Sequence, residues 1–234
     1  MSSRTVDWTA RRDAAQVAAP EGLRARKKRL MRQQLTDTAT EMFVEWGFDA
    51  VRVADIAEAC GVSEKTVFNY FPTKESLLLD RWDTTMAALR TGLAEPDVPP
   101  VEAATRILAD ELDAMMSWLD RQPDRAEAVT RIHRFNTLIQ TTPALRAHQR
   151  DMADQLTAAA ADVLAARMGM RADDPEPRIV AMALLGLWQI HFHALRTYLD
   201  GTRTPSKVRA AVTADVQRAA GLLDAGLRSF GTSV

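Results

Sequence analysis

Apolar positions recur at helical intervals along nearly the whole chain, and no stretch alternates apolar and polar residues as a strand would. Leu30, Leu35, Ala39, Met42, Phe43 and Trp46 mark one side of a first helix over about 23–46, and Gly47 stops it. Val53, Ile56, Ala57 and Cys60 predict a short second helix over about 53–59, broken at Gly61. Ser63 is placed to cap a third helix over about 64–71, since its hydroxyl can accept from a free first-turn N–H. Pro72 ends that helix, because proline disfavours helical backbone in the residue before it. Thr73 then caps a fourth helix reaching about Leu93. The segment AEPDVPP (94–100) is the clearest break, and helices follow at about 101–121, 125–140, 144–168, 176–200 and 206–230. The expected fold is all-α with about nine helices. Residues 1–22 have weak periodicity and read as a disordered tail or as a basic arm that orders on a polyanion.

Two short helices joined by a glycine turn, after a longer one, form a helix-turn-helix. At 100° per residue, Val67 and Phe71 share the inner side of the third helix with Ser63 and can pack on Ile56, Ala57 and Phe43. Lys65 and Asn69 lie opposite, flanked by Thr66, with Phe68 and Tyr70 on the shoulders. That set suits a DNA major groove. Lysine donates to guanine, asparagine pairs with adenine, and the Thr66 methyl meets a thymine methyl. Phe68 offers an apolar contact to thymine or sugar, and the Tyr70 hydroxyl reaches toward a phosphate. The alternative is a merely solvated polar face. Lys74, in the first turn of the next helix, opposes the helix dipole unless an anion such as a phosphate sits there.

Charge placement adds to this picture. Residues 4–32 hold nine Lys/Arg against three Asp/Glu, whereas residues 33–80 hold three against nine. The run RARKKRLMR (24–32) opens the first helix, where Arg24, Arg26, Lys27 and Lys28 can meet phosphates or a minor groove.

The stretch GFDAVRVADIAEACGVSEKTVFNYFPTKESLL (47–78) resembles the DNA-binding region of the TetR family of bacterial transcriptional regulators. The order, spacing and helix lengths agree as a set. The resemblance implies a three-helix DNA-binding domain over 23–72 and a helical effector-binding and dimerisation domain over 73–234. It implies base or sugar contacts from Lys65, Thr66 and Asn69, and phosphate contacts from Tyr70, Lys74 and the start of the second helix. The family often has tyrosine where this chain has Phe68, and threonines where it has Val51 and Arg52. Arg52 can reach a phosphate but cannot cap the second helix as a hydroxyl does. The implied protein is a repressor, homodimeric through its last two helices. It is expected to bind a palindromic double-stranded operator and to be released by a small organic effector.

The C-terminal half is less specific. IVAMALLGLWQIHFHAL (179–195) is apolar on nearly every side, so its helix needs cover all round, and the final helix has a similarly wide stripe. The pair can form a four-helix dimer interface with its symmetry mates. Met115, Trp118, His133, Phe135, Asn136, Trp188, Gln189, His191 and Phe192 are either an effector lining or ordinary core. Gln189 stands out as an amide within an apolar run.

Composition bounds the rest. The 234 residues are 47% hydrophobic and 26% charged, enough for a sizeable core, and the single cysteine, Cys60, excludes an intramolecular disulfide. The apolar run is too short and too polar to predict a membrane span, and the polar N-terminus predicts no signal peptide. His191 and His193, two apart, point to different sides of a helix. No nucleophile motif, phosphate loop or metal set suggests an enzyme or a cofactor, so a cytoplasmic non-enzyme is expected. The competing class is an all-helical dimeric interaction module that never touches DNA.

Overall fold

The computed structural model describes residues 22–79 and 82–231, leaving aside the side chains of 82–84 and 227–231. The basic extension expected over 1–22 lies outside the described residues apart from Gly22. The described residues form ten helices and no strand. They are α1 (Leu23–Trp46), α2 (Val53–Ala59), α3 (Glu64–Tyr70), α4 (Ser76–Leu79), α5 (Trp82–Ala94), α6 (Pro100–Asp120), α7 (Arg125–Thr141), α8 (Pro143–Met168), α9 (Pro175–Tyr198) and α10 (Pro205–Gly231). The single helix expected from Thr73 to Leu93 is represented by α4 and α5, on either side of residues 80–81.

Contacts divide the chain into two units. The first is Met1–Arg81 with Thr130–Gln149, and the second is Trp82–Val129 with Arg150–Val234.

In the first unit, α1 buries Leu35, Ala39 and Phe43, a stripe at four-residue spacing. Leu30 and Trp46, expected on that stripe, are instead 52% and 57% exposed. Leu30 is five residues from Leu35, which turns it well away from the buried line, and Trp46 is the last residue of the helix. Val53, Ile56 and Ala57 of α2, Val67 of α3 and Leu77–Leu79 of α4 complete the core, with Phe48, Val51 and Phe71 from the connecting turns. The Phe43 and Phe48 rings sit 5.0 Å apart, tilted by 45°.

In the second unit, α9 buries Leu184, Leu187, Trp188, His191 and Leu195, and α10 buries Val208, Val212 and Val216. Both helices pack on α6, which also carries α5. Gly92 lets α5 come close: a Cβ there would lie 3.4 Å from Ile107 Cδ1. Arg167 of α8 donates to the carbonyls of Val98 (2.8 Å) and Pro96 (2.9 Å), tying down the loop between α5 and α6. At 24 residues α9 is long and apolar enough to cross a membrane by length and composition. Its packing on α6 and α10 buries one side of it, while Ile179, Met182, Ile190 and Phe192 stay exposed.

Candidate nucleic-acid interface

The turn between α2 and α3 needs one left-handed residue, and Gly61 supplies it at φ +68°. Two hydrogen bonds close the turn: Val62 N–H to the Ala57 carbonyl (2.9 Å) and Gly61 N–H to the Glu58 carbonyl (3.0 Å). This pairing satisfies the last carbonyls of α2. Ser63 then starts α3, its hydroxyl accepting from Thr66 N–H at 3.1 Å and lying 2.8 Å from the Thr66 hydroxyl. Ser63 is exposed rather than on the inner side with Val67, because it caps the helix instead of packing.

With Val67 and Phe71 buried at 1% and 0% exposure, the opposite face of α3 is fixed. Lys65, Phe68 and Asn69 stand on it, all exposed, at three- and four-residue spacing. Phe68 is 46% exposed and sits on the outer face itself. Thr66 and Tyr70 are half-buried. Lys27 and Lys28 are exposed near the start of α1.

Three cations make contacts within the chain that the sequence does not show. Lys74 turns inward: its ammonium donates to the Phe48 carbonyl and lies 4.3 Å from the centroid of the Phe48 ring and 5.6 Å from that of Phe43. The Phe48 carbonyl and two ring faces hold the charge. Arg52 pairs with Asp55 through its guanidinium at 2.6 Å, while Asp55 also accepts from Arg52 N–H at 2.9 Å. The carboxylate therefore closes the start of α2 in the place of a hydroxyl cap, since arginine has no acceptor to offer. The Arg52 hydrogen bond holds the Asp55 carboxyl below its usual range, and the same bond raises the Arg52 guanidinium.

The third cation is Arg32, one of six in the basic run of α1. Its guanidinium donates to the Tyr70 carbonyl at 3.0 Å and lies 4.7 Å above the Phe71 ring. It thereby satisfies a terminal carbonyl of α3 from a different helix. Sequence reasoning placed Arg32 only in the basic run, because its partners lie 38 residues away. Asp55 carried a local signal that was missed, an acidic residue at the third position of a helix.

The residues expected to line an effector site are scattered. Met115, Trp118 and Trp188 are buried in the second unit, while Gln189 and Phe192 are exposed on α9. His133 is exposed, and Phe135 and Asn136 are half-buried, all within the segment grouped with the first unit. Of the nine candidates, His191 alone lines either of two cavities in the second unit, of about 580 and 230 Å³. The larger lies between α5 and α8, with Arg90, Asp162 and Arg167 on its walls. His191 is buried and lines the smaller, whereas His193 is exposed.

A short capped helix with a fixed, outward Lys–Phe–Asn face, set on two supporting helices, is a recognition helix, and the protein is a helix-turn-helix DNA-binding transcriptional regulator. Residues 35–80 match the family model described as bacterial regulatory proteins, tetR family, and residues 122–228 match the MftR C-terminal domain. The chain belongs to the TetR family. MftR of Mycobacterium tuberculosis, named as a proposed transcriptional regulator of mycofactocin biosynthesis, is 29% identical over 69% of this chain and 78% of its own length. The regulator TcmR of Streptomyces glaucescens is also 29% identical, over 68% of this chain and 70% of its own. A crystal structure of a TetR-family regulator from Mesorhizobium loti overlaps 84% of this chain and 98% of its own at a TM-score of 0.47 and 17% identity.

Proposed function

We propose that the protein is a homodimeric repressor that holds a palindromic operator through two copies of α3 and is released by a small organic effector. The observation that carries this reading is the outward face of Lys65, Phe68 and Asn69, anchored from behind by Val67 and Phe71. Lys65 and Asn69 read base edges, with the Thr66 methyl and Phe68 against thymine methyl or sugar. The Tyr70 hydroxyl, Lys27 and Lys28 meet phosphates. Ser63 positions Thr66, Arg52 reaches the backbone when it leaves Asp55, and Lys74 adds a positive field from its inward seat. The DNA-binding part spans 23–72 and the effector-binding and dimerisation part 73–234.

Exposed apolar side chains on the last two helices support dimerisation there: Ile179 (61%), Met182 (57%) and Ile190 (40%) on α9, and Leu222 (78%) on α10. Two-fold symmetry then sets the recognition helices one DNA turn apart, roughly 34–36 Å. A regulator of this kind needs no catalytic step and works on chromosomal DNA in the bacterial cytoplasm. Effector and operator must weaken each other by the same factor. Fragments selected from genomic DNA supply the operator. Sedimentation of the protein with such a fragment is expected to show two chains per palindrome. One chain per fragment, or equal effector affinity with and without DNA, would overturn the reading.

A further inference from the structure

The smaller cavity of the second unit, about 230 Å³, is a cleft walled by α6, α9 and α10. Leu108 and Leu112 of α6 and Val212 and Val216 of α10 make its apolar walls, and His191 of α9 lines it. His191 is only 3% exposed, yet its imidazole has no hydrogen-bond partner among the described residues. Burial alone depresses its pKa to about 4, with no neighbouring charge or hydrogen bond contributing. The ring is therefore neutral near pH 7 and presents one donor and one acceptor. Its ring nitrogens keep access to the cleft, where a guest can meet them. One turn earlier on α9, Trp188 Nε1 is fully buried without a partner, but Trp188 does not line the cleft. Arg106, on the rim, is already paired with Glu102 at 3.0 Å and Glu95 at 3.7 Å. The cleft thus has a largely apolar lining with a neutral imidazole, and the one cation on its rim is already held by two carboxylates, which disfavours an anionic guest.

We propose that this cleft binds a small uncharged molecule with a hydroxyl on an apolar ring, of the phenol class, whose hydroxyl hydrogen-bonds the His191 imidazole. A phenolic O–H both donates and accepts, so it suits either tautomer of the neutral ring. The volume of about 230 Å³ is ample for a single ring. As an effector site it rests on the reading of the C-terminal helices as effector-binding, so binding is measured first without DNA.

Phenol and toluene, which differ by the hydroxyl, are titrated against the full chain by ligand-observed NMR. The wild type is expected to hold phenol about tenfold more tightly than toluene, the factor one hydrogen bond supplies. His191→Leu should remove that preference, and His191→Gln, which keeps a donor and an acceptor, should retain part of it. Val216→Phe, which fills the cleft from α10, should abolish both. Circular dichroism establishes that each variant is folded, and the wild-type comparison of the two ligands stands without any variant. No phenol binding, equal affinity for phenol and toluene, or an unchanged preference in His191→Leu would overturn the proposal. Phenol that binds through His191 and leaves operator affinity unaltered would uphold the site and separate it from operator release.

Discussion

Arg32 and Lys74 direct their charge inward, and this changes what each should do when replaced. Arg32 holds the last carbonyl of α3 and covers Phe71, so it acts on DNA recognition by setting the pose of the helix that carries Lys65 and Asn69. Arg32→Met is expected to weaken operator binding several-fold more than non-specific binding, with Arg32→Lys restoring part of the loss. Fluorescence anisotropy on operator and scrambled fragments checks this. Lys74→Met should lower unfolding stability by about 1 kcal/mol, from one carbonyl bond and two ring contacts. It should leave the salt dependence of DNA binding close to wild type, whereas a lysine that neutralises a phosphate changes the slope by about one. A slope reduced by a full unit in Lys74→Met would show that the ammonium leaves Phe48 for the DNA.

His191 makes a pH prediction. Its folded pKa lies near 4, against an ordinary value of 6.5, so between those values the unfolded chain binds more protons than the folded one. Stability from this group is complete above pH 6.5 and falls as the pH drops toward 4, by a few kcal/mol in order of magnitude. Urea denaturation across that window should show a decline that His191→Leu flattens.

At the scale of elements, α3 depends on its ends. It has seven residues, too few to persist alone. Ser63→Ala removes the cap that Thr66 N–H uses and should cost about 1 kcal/mol. Gly61→Ala places a Cβ at φ +68° and should cost a further 1–2 kcal/mol, roughly, in the turn that aims α3. Thermal melts of the two variants and their double mutant check both the magnitudes and their coupling. Most of this level was legible in the sequence, because the caps at Ser63 and Thr73, the glycine stops and the proline breaks act within a few residues. Thr73 and Ser76 do exchange backbone–side-chain hydrogen bonds at 3.2 Å, as the cap at Thr73 implied. The inward turns of Arg32 and Lys74 were not legible, because each partner lies 26 or 38 residues away and only the fold brings it near. The exposure of Leu30 and Trp46 was misjudged. Leu30 is out of register with the buried line of Leu35, Ala39 and Phe43, and Trp46 is the last residue of the helix.

For the whole molecule, the resemblance carried by residues 47–78 pointed to the family, and the matched models over 35–80 and 122–228 bear it out. The C-terminal half was legible only as an apolar, all-helical body. Its aromatic and polar residues at helical spacing did not reveal which of them would face a cavity. Met115, Trp118 and Trp188 went into the core, and the polar group left unmet in a cleft was His191. Arg167 likewise had no local signal, although it holds the loop that joins α5 to α6.

The central claim is that two copies of α3 read a palindrome through Lys65 and Asn69. Anisotropy titration of the full chain on a selected genomic palindrome, comparing wild type with Lys65→Ala/Asn69→Ala, tests it most directly. The account predicts that the double variant remains folded and dimeric, keeps salt-dependent binding to any duplex, and loses roughly 100-fold or more in preference for the palindrome. An unchanged preference for the palindrome in the folded double variant would contradict it.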